Sequence, residues 1–263
     1  MVWLAEGVAC DLLLPEGPGA AEAEAALDAA LAGAPVDVAV QDAAGRRKKL
    51  LIADMDSTMI DQECIDELAD EVGIKAEVAA ITAMSMNGEI AFEPALRQRV
   101  ALLRGLDQSV IERLMRERIT LASGARELVA TMNRDGAYTA LVSGGFTAFT
   151  SRIAADLGFR EHRANTLLID AGRLTGEVAE PILGREAKAT ALREICARLG
   201  IGLDRAIAVG DGANDLDMLA LAGAGVALHA KPTVAAQAKI RIDHGDLTAL
   251  LYLQGYRRGD FAA

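Results

Sequence analysis

The chain has 263 residues, 52% of them hydrophobic, and its 27 Lys and Arg fall short of its 38 Asp and Glu, leaving a formal net charge of −11. That hydrophobic content excludes a disordered or low-complexity chain and suffices for a substantial core. The acidic balance, with a pI near 4.8, excludes nucleic acid as a partner, because holding phosphate backbones takes clustered Lys and Arg. No basic amphipathic helix marks an anionic membrane surface.

The three cysteines (Cys10, Cys64 and Cys196) are widely spaced and odd in number. They form neither a disulfide framework nor a CxxC metal site, which suits a reducing cytoplasm. Met1–Cys10 has no Lys or Arg ahead of its apolar stretch, so it is not read as a signal peptide. The longest apolar run, Met218 to Leu228, is too short to span a bilayer. A cytoplasmic protein, monomer or homodimer, with a small-molecule partner is expected.

In chain order, residues 1–45 are Ala-, Gly- and acid-rich and broken by Pro15, Pro18 and Pro35. A helix is expected over Ala20–Leu31 and a short strand over Val36–Val40. Such a piece is too small for its own core and reads as an appendage. The basic run Gly45-Arg-Arg-Lys-Lys49 reads as a solvated hinge. Strands follow at Lys49–Ala53, Tyr138–Val142, Ala206–Val209 and Val226–Leu228, each a short apolar run ending at a polar or Gly-containing loop. Helices are expected at Ala125–Arg134, Phe146–Leu157, Glu186–Leu199 and Asp215–Ala222. This alternation predicts an α/β fold with a doubly wound parallel sheet.

More than eighty residues separate the first of these strands from the second, too many for one crossover helix. They hold helix candidates at Gln62–Val72, Ala76–Met86, Glu93–Leu103 and Ser109–Arg118, so a helical insertion after strand one is expected. The predicted organisation is an appendage over 1–45, a core over 46–61 and 120–263, and a helical cap over 62–119. Arg163–Val178, with a turn at Gly172, reads as a β-hairpin.

Open α/β folds bind ligands beyond the carboxyl ends of their strands. Here those ends carry Asp54-Met-Asp56-Ser-Thr58, Ser143-Gly-Gly145 and Gly210-Asp211-Gly-Ala-Asn214-Asp215. At an extended strand end, residues i and i+2 point the same way, so Asp54 and Asp56 are expected in one cavity. Mutual repulsion raises one pKa and favours a division into an ionised nucleophile or metal ligand and a proton donor. With Asp211 and Asp215 added, and no His or Cys, the cluster is a hard-oxygen site suited to Mg²⁺. The Ser143 hydroxyl, the N–H groups of Gly144 and Gly145 entering a helix, and the Lys188 ammonium are anion donors. Acids with a metal facing anion donors describe a phosphoryl-transfer site.

The full set is Asp54-Met-Asp-Ser-Thr-Met-Ile60, Glu63-Cys-Ile-Asp-Glu67, Phe92 with Leu96-Arg-Gln-Arg-Val100, Val142-Ser-Gly-Gly-Phe146, Lys188, Val209-Gly-Asp-Gly-Ala-Asn-Asp215 and Ala230-Lys-Pro232. Over about residues 48–253 it resembles the haloacid dehalogenase superfamily with a helical cap, and within it the phosphoserine phosphatase family. The resemblance implies Asp54 as nucleophile and Asp56 as proton donor and acceptor. It implies one Mg²⁺ held by Asp54, the Asp56 main-chain carbonyl and Asp211, with Asp215 behind them. Ser143, Gly144, Lys188 and Asn214 would hold the phosphoryl end of the substrate. Glu63 would meet its ammonium and Arg99 its carboxylate, with Phe92 and Met86 as an apolar lid. An acid and a guanidinium are what a free amino-acid head requires.

Longer members of the family carry a larger domain ahead of the catalytic part. Here the stretch is short and Ala-rich, so feedback regulation through it is not expected. Two other readings remain at this point. One is a related enzyme acting on another small phosphomonoester, or moving the phosphoryl group to another alcohol acceptor. The other is a phospho-accepting signalling module, which would need neither the insertion nor Glu63 and Arg99.

Overall fold

The computed structural model describes residues 1–14, 19–86 and 89–262. Its centre is a six-stranded sheet built from β3 (Leu50–Ala53), β4 (Tyr138–Phe146), β5 (Glu161–Asn165), β8 (Ala206–Gly210), β9 (Ala224–Leu228) and β10 (Ile240–Ile242). The order is β10-β9-β8-β3-β4-β5, and every pairing is parallel. The four residues of β3 are wholly buried. Successive side chains alternate between faces, so Leu51 and Ala53 enter one core and Leu50 and Ile52 the other.

The first face is covered by Leu128 and Val129 of α6 (Ala125–Arg134), Ile153 of α7 (Thr147–Leu157) and Leu250 of α11 (Ala249–Leu253). Leu192 and Ile195 of α8 (Arg185–Leu199), with Met218 and Leu219 of α9 (Leu216–Leu221) and Val234 of α10 (Pro232–Ala235), cover the second. Strand β3 has β4 on one side and β8 on the other, which puts the topological switch point, where such folds bind ligands, at its carboxyl end.

Between β3 and β4 run α2 (Cys64–Asp70), α3 (Lys75–Met86), α4 (Phe92–Ala101) and α5 (Ser109–Glu117). The hairpin β6 (Leu167–Asp170) and β7 (Arg173–Val178) is antiparallel and carries part of this helical group. The Gly105 N–H donates to Leu174 O at 2.8 Å, and the Leu174 N–H donates to Leu106 O at 2.9 Å. Among the described residues no helix is long and apolar enough to cross a membrane.

Several expectations need correction. No strand forms over Val36–Val40. The Asp37 carboxylate instead accepts N–H bonds from Asp243 and Gly245 at 2.7 Å each, and Gln41 Nε2 donates to Leu253 O at 2.6 Å. The segment is tied down by side chains, and Pro35 has no N–H to give a ladder. The appendage's strands are β1 (Val2–Ala5) and β2 (Ala9–Asp11), an antiparallel pair ahead of α1 (Ala20–Ala30). The basic run is not a free hinge: Arg46 grips Asp11 at 3.0 and 2.7 Å, and Arg47 pairs with Asp135. Strand β4 continues through Ser143-Gly144-Gly145 to Phe146, so the glycines belong to a strand end and the helix opens after them, at Thr147.

Candidate active site

In the register of the sheet, Ala53 lies beside Leu141 and Val209. Asp54, Ser143 and Asp211 therefore emerge at one edge. The Asp54 N–H extends the ladder to Val209 O at 3.0 Å, and Asp54 Oδ1 accepts from the Met55 N–H at 2.8 Å. Lys188, in the first turn of α8 and wholly buried, places Nζ 2.7 Å from Asp54 Oδ1 and 2.7 Å from Asp215 Oδ1. Burial works against this ammonium, but the Asp215 and Asp54 carboxylates outweigh it and raise its pKa. Asp215 Oδ2 accepts from the Gly212 N–H at 3.0 Å. A Cβ at Gly210 would sit 2.3 Å from Asp215 Cγ, so only glycine there lets the carboxylate lie against the strand.

Carboxylate oxygens of Asp54, Asp211 and Asp215 lie within 4.8 Å of one another. Burial, then the Asp215 charge, pushes Asp54 well above the usual carboxylate range. The same two causes push Asp211 up to about 6, against Lys231, Lys188 and a hydrogen bond from Thr58. That bond runs from Thr58 Oγ1 to Asp211 Oδ1 at 3.2 Å. One ammonium among these acids leaves uncompensated negative charge in a buried place. All donors are oxygen, so the cluster fits a hard divalent cation.

The Asp56 side chain is engaged elsewhere. Its Oδ1 accepts from the Cys64 N–H at 2.9 Å, and Ser143 Oγ faces Oδ2 at 3.4 Å. Burial raises its pKa against these bonds, which favours a protonated carboxyl. A Cβ at Gly145 would come within 2.6 Å of Asp56 Oδ2, so glycine makes room for the acid. The Gly145 N–H donates to Ser143 Oγ at 2.8 Å and is spent orienting that hydroxyl, contrary to its expected part in holding an anion.

Above this floor lies a cavity of about 420 Å³ lined by Asp54, Asp56, Ser143, Gly144, Asp211 and Asn214 below, and by Glu63, Phe92 and Arg99 from the helical group. Phe92, the first residue of α4, spans the gap. A Cβ at Gly144 would lie 3.1 Å from its ring, and one at Gly184 3.2 Å. Arg97, farther along α4, pairs with Glu180. Lys188 and Asp215 sit beneath the floor. Met86 ends α3, and its side chain lies outside the described residues.

Glu63 precedes α2 and accepts from Ser57 Oγ at 2.8 Å. Burial, then the Asp56 charge, pushes it up to about 8. Its folded pKa exceeds the ordinary value of 4.5, so the stability it contributes is full below that value and is lost as pH rises through about 8. In EDTA, Glu63→Gln is therefore expected to melt above the wild type by a margin that widens from about pH 5 to about pH 8. Melting profiles that stay parallel across that range would contradict the assignment.

Sequence reasoning missed the cavity-lining Thr82, Ser85 and Arg185. Thr82 and Ser85 are one helical turn apart on α3, a spacing that marks a shared polar face. Thr58 was visible beside the two aspartates, without a role.

The sequence model of haloacid dehalogenase-like hydrolases matches residues 51–220. A phosphoserine phosphatase of Polaromonas sp. is 47% identical over 226 residues, covering 84% of this chain and 96% of that protein. One from Streptomyces coelicolor is 43% identical over 238 residues, covering 90% of this chain and 58% of that longer protein. The chain thus spans little more than half the length of that second relative. A solved phospho-aspartyl intermediate analogue of phosphoserine phosphatase superposes with a TM-score of 0.74 at 40% identity, over 78% of this chain and 98% of that one. The chain belongs to the haloacid dehalogenase-like hydrolases and, within them, to the phosphoserine phosphatase family.

Proposed function

We propose that the chain hydrolyses O-phospho-L-serine to L-serine and phosphate through an aspartyl-phosphate on Asp54, a step of serine biosynthesis. The observation that carries this reading is one cavity with a buried Asp54–Lys188–Asp215 ion triad at its floor and an acid and a guanidinium, Glu63 and Arg99, in its roof. A phosphomonoester of an amino acid is complementary to both ends. In this reading residues 62–119 are the cap, 46–61 and 120–263 the core, and 1–45 an appendage. The three free thiols support a reducing cytoplasm as the setting.

The Asp54 carboxylate attacks phosphorus, forming the acyl phosphate, while the P–O bond to serine breaks. Asp56 gives its proton to the departing serine oxygen; its burial-raised pKa holds that proton until needed. Asp56, now ionised, takes a proton from the water that attacks the aspartyl-phosphate, releasing phosphate and restoring Asp54. The Ser143 hydroxyl, the Gly144 N–H and Asn214 hold the phosphoryl oxygens, and Lys188 lends positive charge from beneath the floor, against Asp54. Asp54, Asp211 and the Asp56 main-chain carbonyl would hold Mg²⁺, which would supply positive charge for the acids and the phosphoryl group. Glu63 meets the substrate ammonium and Arg99 its carboxylate, and Phe92 limits water.

The test is phosphate release from phosphoserine, phosphoethanolamine and p-nitrophenyl phosphate, with Mg²⁺ and with EDTA. Phosphoserine should be the best substrate, and EDTA should abolish activity. EDTA-insensitive turnover, or indifference to the amino-acid head, would overturn the reading. Arg99→Ala is expected to raise KM for phosphoserine roughly 10- to 100-fold, the loss of a charge-assisted hydrogen-bonded contact, and to leave p-nitrophenyl phosphate nearly unchanged. An equal effect on both would remove Arg99 from recognition.

A further inference from the structure

Among the described residues Arg99 makes two hydrogen bonds. Its Nε donates to Ala95 O in its own helix at 3.2 Å, and its NH1 donates to Thr82 Oγ1 of α3 at 3.1 Å. Thr82 in turn donates its hydroxyl proton to Val78 O at 3.1 Å. A hydroxyl has one proton. Since that proton is committed to Val78, Thr82 Oγ1 faces the guanidinium as an acceptor.

Both acceptors are neutral. That matters because Glu63, Asp66 and Asp56 all act on Arg99 by charge. An unpinned guanidinium on a long side chain would be drawn to one of them, and an ion pair there would use up the charge a carboxylate ligand needs. Two fixed neutral acceptors on two helices hold the group in place and, among the described residues, outside any ion pair. The guanidinium has five donors in a rigid fork. With one on Ala95 and one on Thr82, three donors remain on NH1 and NH2, and Arg99 and Thr82 both line the cavity. An NH1 and an NH2 proton side by side are the pair that can bind a carboxylate with two parallel bonds.

We infer that Thr82 is a positioning residue for substrate selection: its hydroxyl pre-orients Arg99 so that the enzyme favours phosphomonoesters bearing an α-carboxylate over those without one. The inference rests on the proposed role of Arg99 and deepens it. Preorganisation of this kind contributes by removing the cost of ordering the side chain on binding, so its loss falls on carboxylate-bearing substrates alone.

The experiment measures kcat/KM for phosphoserine and phosphoethanolamine, which differ by the carboxylate, in the Mg²⁺-loaded wild type, Thr82→Val, Thr82→Ser and Arg99→Ala. Thr82→Val keeps the shape and removes the hydroxyl. It should lower kcat/KM for phosphoserine roughly 10-fold, mainly through KM, with phosphoethanolamine unchanged, and Thr82→Ser should restore most of the loss. Thr82→Val acting equally on both substrates, or on neither while Arg99→Ala remains selective, overturns the inference about Thr82 and spares the reading of Arg99. An Arg99→Ala enzyme with unchanged preference overturns both.

Discussion

Asp54→Asn is expected to reduce turnover of phosphoserine by about 10⁴-fold or more, the scale on which loss of a catalytic nucleophile acts. The substitution keeps the shape of the side chain and removes the charged oxygen. It also removes one of the two carboxylates on Lys188, but Asp215 remains 2.7 Å from that ammonium, so the ion is not stranded and the fold should persist. Circular dichroism and melting should resemble the wild type while steady-state phosphate release vanishes. An Asp54→Asn enzyme within about 10-fold of wild-type kcat would contradict the nucleophile assignment.

The second large effect concerns stability. Lys188 is fully buried between two carboxylates, one of which, Asp215, is itself fully buried. Lys188→Met preserves most of the side-chain volume and leaves both acids without a counter-ion. Breaking a buried pair in this way costs about 3–5 kcal/mol, or roughly 10 °C in Tm for a chain of this size. The penalty has a sign in pH. Without Lys188 the Asp54 carboxyl, already raised by burial, relieves it by holding a proton in the folded state, so the deficit is smallest at acid pH and grows as pH rises. Adding Asp215→Asn should recover stability without recovering activity. A Lys188→Met protein as stable as wild type at pH 8 in EDTA would show that the triad carries no such energy.

The parts of this fold that were legible in sequence are those where burial dictates composition. Strands β3, β8 and β9 are apolar throughout because helices cover both faces, and β3 and β8 each end in an Asp-bearing loop. Strand β5 was not legible. It reads Glu161-His-Arg-Ala-Asn165 and lies at the sheet edge, where Glu161 and Arg163 pair with each other and with Arg198 and Glu194. Edge position frees a strand from hydrophobic patterning. Strand β10 is three residues long, too short for a pattern to register. Val36–Val40 had the right residue types and no partner strand, which local propensity cannot reveal.

For the site, the acids and donors were legible because they sit at strand ends, where the fold itself marks a ligand edge. The ion triad was not, since it depends on Lys188 reaching from α8 into the space between Asp54 and Asp215. The use of the Gly145 N–H by Ser143 depends on where β4 stops, and element boundaries are the least legible feature of a sequence. Thr82 was silent for a related reason. Its partner Arg99 stands on another helix, and only the crossing of α3 with α4 joins them.

On this mechanism every phosphoryl group passes through Asp54. That route is checked by mixing the Mg²⁺-loaded enzyme with phosphoserine, quenching in acid within milliseconds, reducing with borohydride and mapping the product by mass spectrometry. An aspartyl-phosphate is reduced to homoserine. Homoserine is expected at position 54 alone, and only when phosphoserine is present. Full turnover with unmodified Asp54 in the quenched enzyme, or reduction at another carboxylate, would refute the route.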